Sequence, residues 1–253
     1  MDSLEKINLS KDVQIENLTV VRGKKSIYKD FSIKFEAGTV NALLAPSGAG
    51  KTTLLDCIAA LLEPSAGTIK VGGKSIKEYG EKAVIYASYL FQEPRLLPWC
   101  SVLRNCTLPL ENTMPKDEAA RRAEAFLCAA GLQDKINDFP PNLSGGERQR
   151  AAVARSFAVK APLLLMDEAF QSQDIMLKEQ LMQLLKELLE TERRTVLFVT
   201  HGIREALEMA DRIIILKPLS KQDSTLHVAL DALTKDFEST VLRDKILETF
   251  AAG

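Results

Sequence analysis

The chain has 253 residues, 46% of them hydrophobic, and its 33 Lys+Arg nearly cancel its 34 Asp+Glu. That length buries a sizeable core, as one large domain or two small ones, without disulfide or metal staples. The balanced charge excludes a dedicated nucleic-acid binder, which carries a basic excess, and an acidic disordered tail. No apolar run reaches the roughly 18 residues of a membrane span, and Asp2, Glu5, Lys6 and Lys11 interrupt any signal-peptide core. Cys57, Cys100, Cys106 and Cys128 have no C-x-x-C spacing, so reduced thiols are expected rather than metal ligands.

From the N-terminus, residues 12–21 and 31–35 have strand patterning on either side of a turn-like stretch at 22–26, which predicts an antiparallel hairpin. Residues 40–44 form a short apolar strand ending at a Pro/Ser/Gly-rich loop. After Lys51, Leu54, Leu55, Ile58, Leu61 and Leu62 mark one face of a helix. The stretch from about 93 to 160 reads as mainly helical, with a helix at 116–130 stopped by Gly131, and predicts a subdomain inserted into the body. Near-continuous apolar runs at 163–166 and 196–199 flank a helical face at Leu177, Leu181, Leu184, Leu185 and Leu188. Strands apolar on both faces, alternating with helices, imply an α/β fold whose mainly parallel sheet is covered on both sides. A strand-like patch at 224–230 and a charged amphipathic helix at 237–250 follow, and there is no internal repeat or low-complexity tract.

Strand, loop and helix meet at Ala45, Pro46, Ser47, Gly48, Ala49, Gly50, Lys51, Thr52 and Thr53. This is the phosphate-loop pattern G-x-x-x-x-G-K-[ST] with Ala45 at the first glycine position. Small residues let backbone N–H groups converge on a polyphosphate, and the helix start behind them adds uncapped donors and partial positive charge. Lys51 would bridge the terminal phosphates, and the Thr52 hydroxyl would ligate Mg²⁺. A second glycine motif, Leu143-Ser144-Gly145-Gly146-Glu147-Arg148-Gln149, opens a helix running to about Ala158. Ser144 and Glu147 have the spacing of a capping box, while the paired glycines bare N–H groups at a helix start, a second anion site.

Asp167 and Glu168 stand at the end of the 163–166 strand. One carboxylate there can serve Mg²⁺ and the other an attacking water, although an acidic pair at a strand end is also an ordinary solvated loop. His201, one of two histidines, follows the 196–200 strand in the same manner, where a structural hydrogen-bonding role is equally open. These groups all fall at C-terminal ends of expected parallel strands, where open α/β sheets bind ligands.

The ordered set resembles the ATP-binding subunits of ABC transporters over nearly the whole chain. The matching residues are the Walker A loop at 45–52, Gln92 in Phe91-Gln92-Glu93, and the signature at 143–149. The Walker B strand with its glutamate at 163–168, Asp174 of the D-loop and His201 of the switch complete it. Arg95-Leu96-Leu97-Pro98-Trp99, followed by Ser101-Val102-Leu103, is similar to the nitrate/sulfonate/taurine-type importer ATPases.

The resemblance implies a P-loop NTPase fold with an N-terminal antiparallel β subdomain. The nucleotide-binding core would take about 1–92 and 161–220, a helical subdomain 93–160, and a C-terminal extension 221–253. It implies an ATP hydrolase using Mg²⁺, cytoplasmic and peripheral on the inner face of the membrane, coupling dimer closure to solute uptake through a separate permease fed by a solute-binding protein. Two copies would pair head to tail, so that Ser144, Gly145 and Gly146 of one cap the γ-phosphate held by the other's Walker loop. Asp167 would hold Mg²⁺ through water, Glu168 would polarise the attacking water, and His201 would hold the γ-phosphate and Glu168. Gln92 would sense Mg²⁺ and relay to the membrane subunits, and the groove around 95–99 would receive a coupling helix.

Six positions, at four places in the chain, depart from the family pattern. Ala45 replaces the first Walker glycine, Arg22 stands where an aromatic stacks on adenine, and Ala169 replaces the proline after the glutamate. Gln171-Ser172-Gln173 replaces a small residue, Ala and Leu before Asp174. Two other readings stand beside the importer: a soluble ABC ATPase not coupled to transport, and a nucleotide-binding regulatory subunit with weak hydrolysis. The first usually carries tandem domains or a long coiled-coil insert, neither of which lies in these residues. The presence of both Glu168 and His201 speaks against the second.

Overall fold

The computed structural model describes residues 6–23, 25–46, 48–79, 86–111, 113–171, 174–219 and 225–251. After a two-residue strand β1 (Ile7–Asn8), β2 (Val13–Arg22) and β3 (Lys25–Phe35) pair antiparallel. Val13, Ile15, Leu18 and Val20 of one, and Phe31, Ile33 and Phe35 of the other, turn inward with the alternation of a half-buried ribbon. The hairpin is the expected one, but β3 starts six residues before the strand pattern at 31–35, and only residues 23 and 24 lie between the strands. The charged Lys29 and Asp30 mask the strand signal. Asp30 and Asn17 adopt φ of 50° and 51°, and the ladder shifts register through this stretch, as bulged strands do.

β4 (Val40–Leu44) leads into α1 (Lys51–Ile58). β5 (Ala66–Val71) and β6 (Lys74–Ser75) return to the hairpin, giving an antiparallel sheet of order β3-β2-β5-β6. β7 (Ala87–Leu90) is followed by α2 (Val102–Thr107), α3 (Lys116–Ala129) and α4 (Gly145–Ala158), and Gly131 at φ 69° turns the chain after α3. Then come β8 (Leu163–Asp167), α5 (Ile175–Thr191), β9 (Glu192–Arg193), β10 (Thr195–Thr200), α6 (Ile203–Met209) and β11 (Arg212–Pro218). β12 (Leu226–Leu233) and α7 (Ser239–Ala251) replace the expected strand at 224–230 and helix at 237–250 with a slightly later register. Residue 224 lies outside the described residues.

The main sheet has the order β12-β11-β4-β10-β8-β7, parallel except for β12 on the edge. Alternate residues of each central strand feed two separate cores. Leu164, Met166, Val196, Phe198, Ile213 and Ile215 pack against α4, α5 and α6. Leu163, Leu165, Leu197, Val199, Ile214 and Leu216 pack against α1 and the antiparallel sheet. Both faces are therefore buried, which is why these strands read as near-continuous apolar runs. Each such side chain contributes about 1.5–3 kcal/mol by leaving water.

At the N-terminal edge of β10, Arg194 and Arg122 share the carboxylate of Glu192 at 2.7 Å each. Their guanidinium groups donate to the carbonyls of Ser156, Phe157 and Ala158 at the C-terminus of α4. The ion cluster thus fastens α4 to the sheet. Among the described residues, no helix is long and apolar enough to cross a membrane.

Candidate nucleotide site

Three neighbouring strands set the site. β10 lies between β4 and β8, with Thr200 paired to Leu44 and Val199 to Asp167, so their C-terminal ends are level. From β4 the chain enters the glycine-rich loop. Gly48 and Gly50 have φ of 71° and 110°, and a Cβ on Gly50 would collide with Ile27, so both conformation and space require glycine there. Ala45 is buried and is not among the residues of positive φ, so the departure from glycine costs the loop no strain. Ser47 lies outside the described residues.

Gly50 caps α1 with no side-chain bond, leaving the first N–H groups of the helix to point out of the loop. Lys51 is buried; its Nζ donates to the carbonyls of Ala45 at 2.8 Å and Pro46 at 3.2 Å. Burial pushes its ammonium below the usual lysine range, and the charges of Glu168 and Asp167 oppose that shift. The Tyr28 hydroxyl holds the Gly50 carbonyl from beneath at 3.1 Å.

At the end of β8, the Thr52 hydroxyl donates to Asp167 Oδ1 at 3.1 Å. Burial raises the Asp167 carboxyl above its ordinary value, partly offset by that hydroxyl. A hard divalent cation bound through one carboxylate, a hydroxyl and phosphate oxygens suits this oxygen pair. Glu168 sits at φ 49°, fixed by its N–H to the Val199 carbonyl at 3.0 Å and its carbonyl to the Gln171 N–H at 2.9 Å. Left-handed backbone at a non-glycine residue costs about 1–3 kcal/mol and concentrates at functional sites. The turn aims the Glu168 side chain across to β10, where His201 Nε2 lies 2.6 Å from its Oε1. Lys51 Nζ is 3.3 Å from the same imidazole nitrogen. One nitrogen cannot donate to Glu168 and accept from Lys51 together, so the two contacts are alternatives for that atom.

The remaining sequence-derived residues lie around this centre. Gln92 is exposed just beyond β7, and its amide donates to Gln171 Oε1 at 2.9 Å rather than to Thr52 or Asp167. Asp174 caps α5, its Oδ1 accepting from the Leu177 N–H at 2.9 Å, while Ser172 and Gln173 lie outside the described residues. Arg22 is exposed at the end of β2, and its charge acts on Asp56 of α1, opposing the burial that raises that carboxyl. Thr53 is buried within α1.

In the signature, Leu143 is buried, and the capping box is formed: Glu147 N–H to Ser144 Oγ at 3.2 Å, Ser144 N–H to Glu147 Oε2 at 2.7 Å. Gly145 and Gly146 open α4. The structural and anion readings of this motif are therefore compatible. The glycine N–H groups of α4 and those of α1 belong to opposite faces of the main sheet, since the two helices pack into different cores.

Several contacts had no signal in the sequence. Gln149 is buried, and its amide donates to the Ala169 carbonyl at 3.0 Å, joining α4 to the turn after Glu168. Asn105, also buried, ties the 97–101 loop through Leu97, Cys100 and Ser101. Thr200, Lys178 and Glu205 form a network beside His201. Side-chain amides and charges that serve distant backbone leave no periodic mark.

The strand order and the convergence of loop, carboxylates and histidine define a P-loop nucleotide hydrolase. The profile of the ABC transporter family matches residues 28–171. The aliphatic sulfonates import ATP-binding protein SsuB 1 of Paracoccus denitrificans is 37% identical over 209 residues, covering 83% of this chain and 81% of that protein. The bicarbonate transport ATP-binding protein CmpD of Synechocystis sp. is 34% identical over 209 residues, covering 80% and 73%. Among solved structures, the dimeric ATP-binding cassette MJ0796 in a post-hydrolysis state bound to ADP and Pi superposes with TM-score 0.75 at 30% identity, covering 89% of this chain and all of that one. The chain belongs to the ABC transporter family. Within it, the chain is an ATP-hydrolysing subunit of the importer type.

Proposed function

We propose that this subunit, peripheral on the inner face of the membrane, drives uptake of a small oxyanion, of the sulfonate or bicarbonate kind, through a separate transmembrane permease. The names of the relatives support the solute class, which the permease and a solute-binding protein would select. The contact that carries the hydrolytic reading is His201 Nε2 to Glu168 Oε1 at 2.6 Å, beside Lys51 at the start of α1.

On this reading, Lys51 exchanges its bonds to the Ala45 and Pro46 carbonyls for phosphate oxygens, and the N–H groups of residues 48–53 surround the β-phosphate. Glu168 accepts a proton from the attacking water, and His201 orients both Glu168 and the γ-phosphate. Thr52 and Asp167, joined by Gln92 once its amide leaves Gln171, would hold Mg²⁺. Bound there, the ion neutralises charge on the phosphate oxygens. Arg22 stacks its guanidinium on the adenine.

The signature residues Leu143–Glu147 serve a second copy. The placement of α1 and α4 on opposite sheet faces supports a head-to-tail pair in which each copy lends its glycines to the other's nucleotide, with Asp174 at the seam. The MJ0796 cassette is dimeric in its post-hydrolysis state, which favours the same assembly here. Lys51→Ala should abolish the ATP-dependent rise in Tm of the purified chain, and an undiminished shift would refute the phosphate assignment.

A further inference from the structure

One buried carboxylate outside the residues assigned above reaches the switch turn. Glu205, in the first turn of α6, is only 7% exposed. Its Oε1 accepts from Lys178 Nζ at 2.6 Å, and its Oε2 accepts from the Thr200 hydroxyl. That hydroxyl oxygen in turn accepts the Gly202 N–H at 2.9 Å. His201 stands between Thr200 and Gly202, so one chain neighbour bonds the carboxylate directly and the other through the Thr200 hydroxyl.

The fit is tight on the glycine side. A Cβ on Gly202 would lie 2.6 Å from Glu205 Cδ and 2.7 Å from Oε1. The backbone there, φ −84° and ψ 107°, suits any L-residue. A side chain at 202 would therefore be met by a shift of the carboxylate, not by strain in the chain. On the other side, Lys178 belongs to α5, one turn beyond the cap Asp174. The ion pair thus joins the helix that follows the D-loop to the turn that carries the histidine. A cavity of about 280 Å³, lined by Glu168, Gln171, Lys178, His201 and Glu205 among others, leaves the two hydrolytic side chains room to move unless the turn is held.

We propose that Glu205 is a positioning residue for His201: with Lys178 and Thr200 it fixes the imidazole against Glu168 and carries the position of α5 to that pair. A charged side chain this deeply placed must keep its partners, and an orienting group displaced by about 1 Å costs about 100-fold in rate. The inference rests on the reading of Glu168 and His201 as the hydrolytic pair.

The test compares Gly202→Ala, Glu205→Ala, their double variant and His201→Ala by steady-state ATP hydrolysis, with ATP binding followed by fluorescence of a labelled analogue. Each of the first two should lower kcat about 10-fold while the KM and Kd for ATP stay within about twofold, because an interaction made in the transition state is lost. The double variant should be no slower than Glu205→Ala, since the new methyl then has no carboxylate to displace. Losses that multiply, or a raised KM at unchanged kcat, would overturn the proposal. If Glu205→Ala fails to fold, Glu205→Ser, too short to meet a methyl at 202, replaces it in the cycle. Wild-type turnover in His201→Ala would instead remove the hydrolytic pair itself. An inactive His201→Ala beside full-speed Gly202→Ala and Glu205→Ala would remove only the role of Glu205.

Discussion

Asp167 shows how a single group in this site opposes the fold that holds it. Burial raises its carboxyl above the ordinary value of 3.8, with Glu168 adding to the rise and the Thr52 hydroxyl resisting it. A carboxyl whose value is higher in the folded state than in the unfolded one disfavours folding once ionised. That penalty is absent below the unfolded value and complete above the folded one. Asp167→Asn keeps an oxygen for Thr52 and removes the charge. The chain without added nucleotide should therefore melt higher at neutral pH as the variant, and the gap should close as pH falls towards about 4. A lower or unchanged Tm at neutral pH would contradict this account. Lys51, Asp167, Glu168 and His201 were legible in the sequence as site candidates because each lies at the end of a strand or in the loop or helix start that follows it. Their mutual distances were not, because those depend on strand order.

At the scale of elements, a buried ionic joint lies away from the site. Arg194 is fully buried, and burial lowers its guanidinium to about 10, against the pull of Glu192. Removing the Glu192 charge strands that cation and loosens Arg122 from the end of α4. Glu192→Gln should cost about 3–5 kcal/mol of unfolding free energy, the usual price of breaking a buried ion pair, read from a urea titration. A loss below about 1 kcal/mol would mean the cluster is dispensable. The runs at 163–166 and 196–199 announced their strands because both faces are covered, so every residue is apolar. The first half of β3 did not, since Lys29 and Asp30 occupy a bulged, solvent-facing stretch. The Arg122–Glu192–Arg194 cluster was equally hidden, because its members come from α3, β9 and the residue linking β9 to β10, and carry charges that ordinarily mark a surface.

Across the whole molecule, the sheet divides the chemistry. α1 and its phosphate loop pack on one face, α4 and the signature on the other, and α5, α6 and the switch turn connect them through side chains. The ordered motifs made the ATPase legible, since a phosphate loop, a signature and a Walker B glutamate each demand particular residue types at fixed spacing. What spacing could not convey is the linkage between them, such as Gln92 with Gln171, Gln149 with Ala169 and Lys178 with Glu205, which exists only once strands and helices are stacked. The central claim is that Glu168 takes the proton from the attacking water while the rest of the site binds ATP. It is tested most directly by ATP turnover of the Glu168→Gln variant, with bound nucleotide measured in the same sample. The expected result is turnover below about 1% of wild type with ATP retained, the loss typical when a general base goes but binding groups stay. Hydrolysis at near wild-type rate would contradict it.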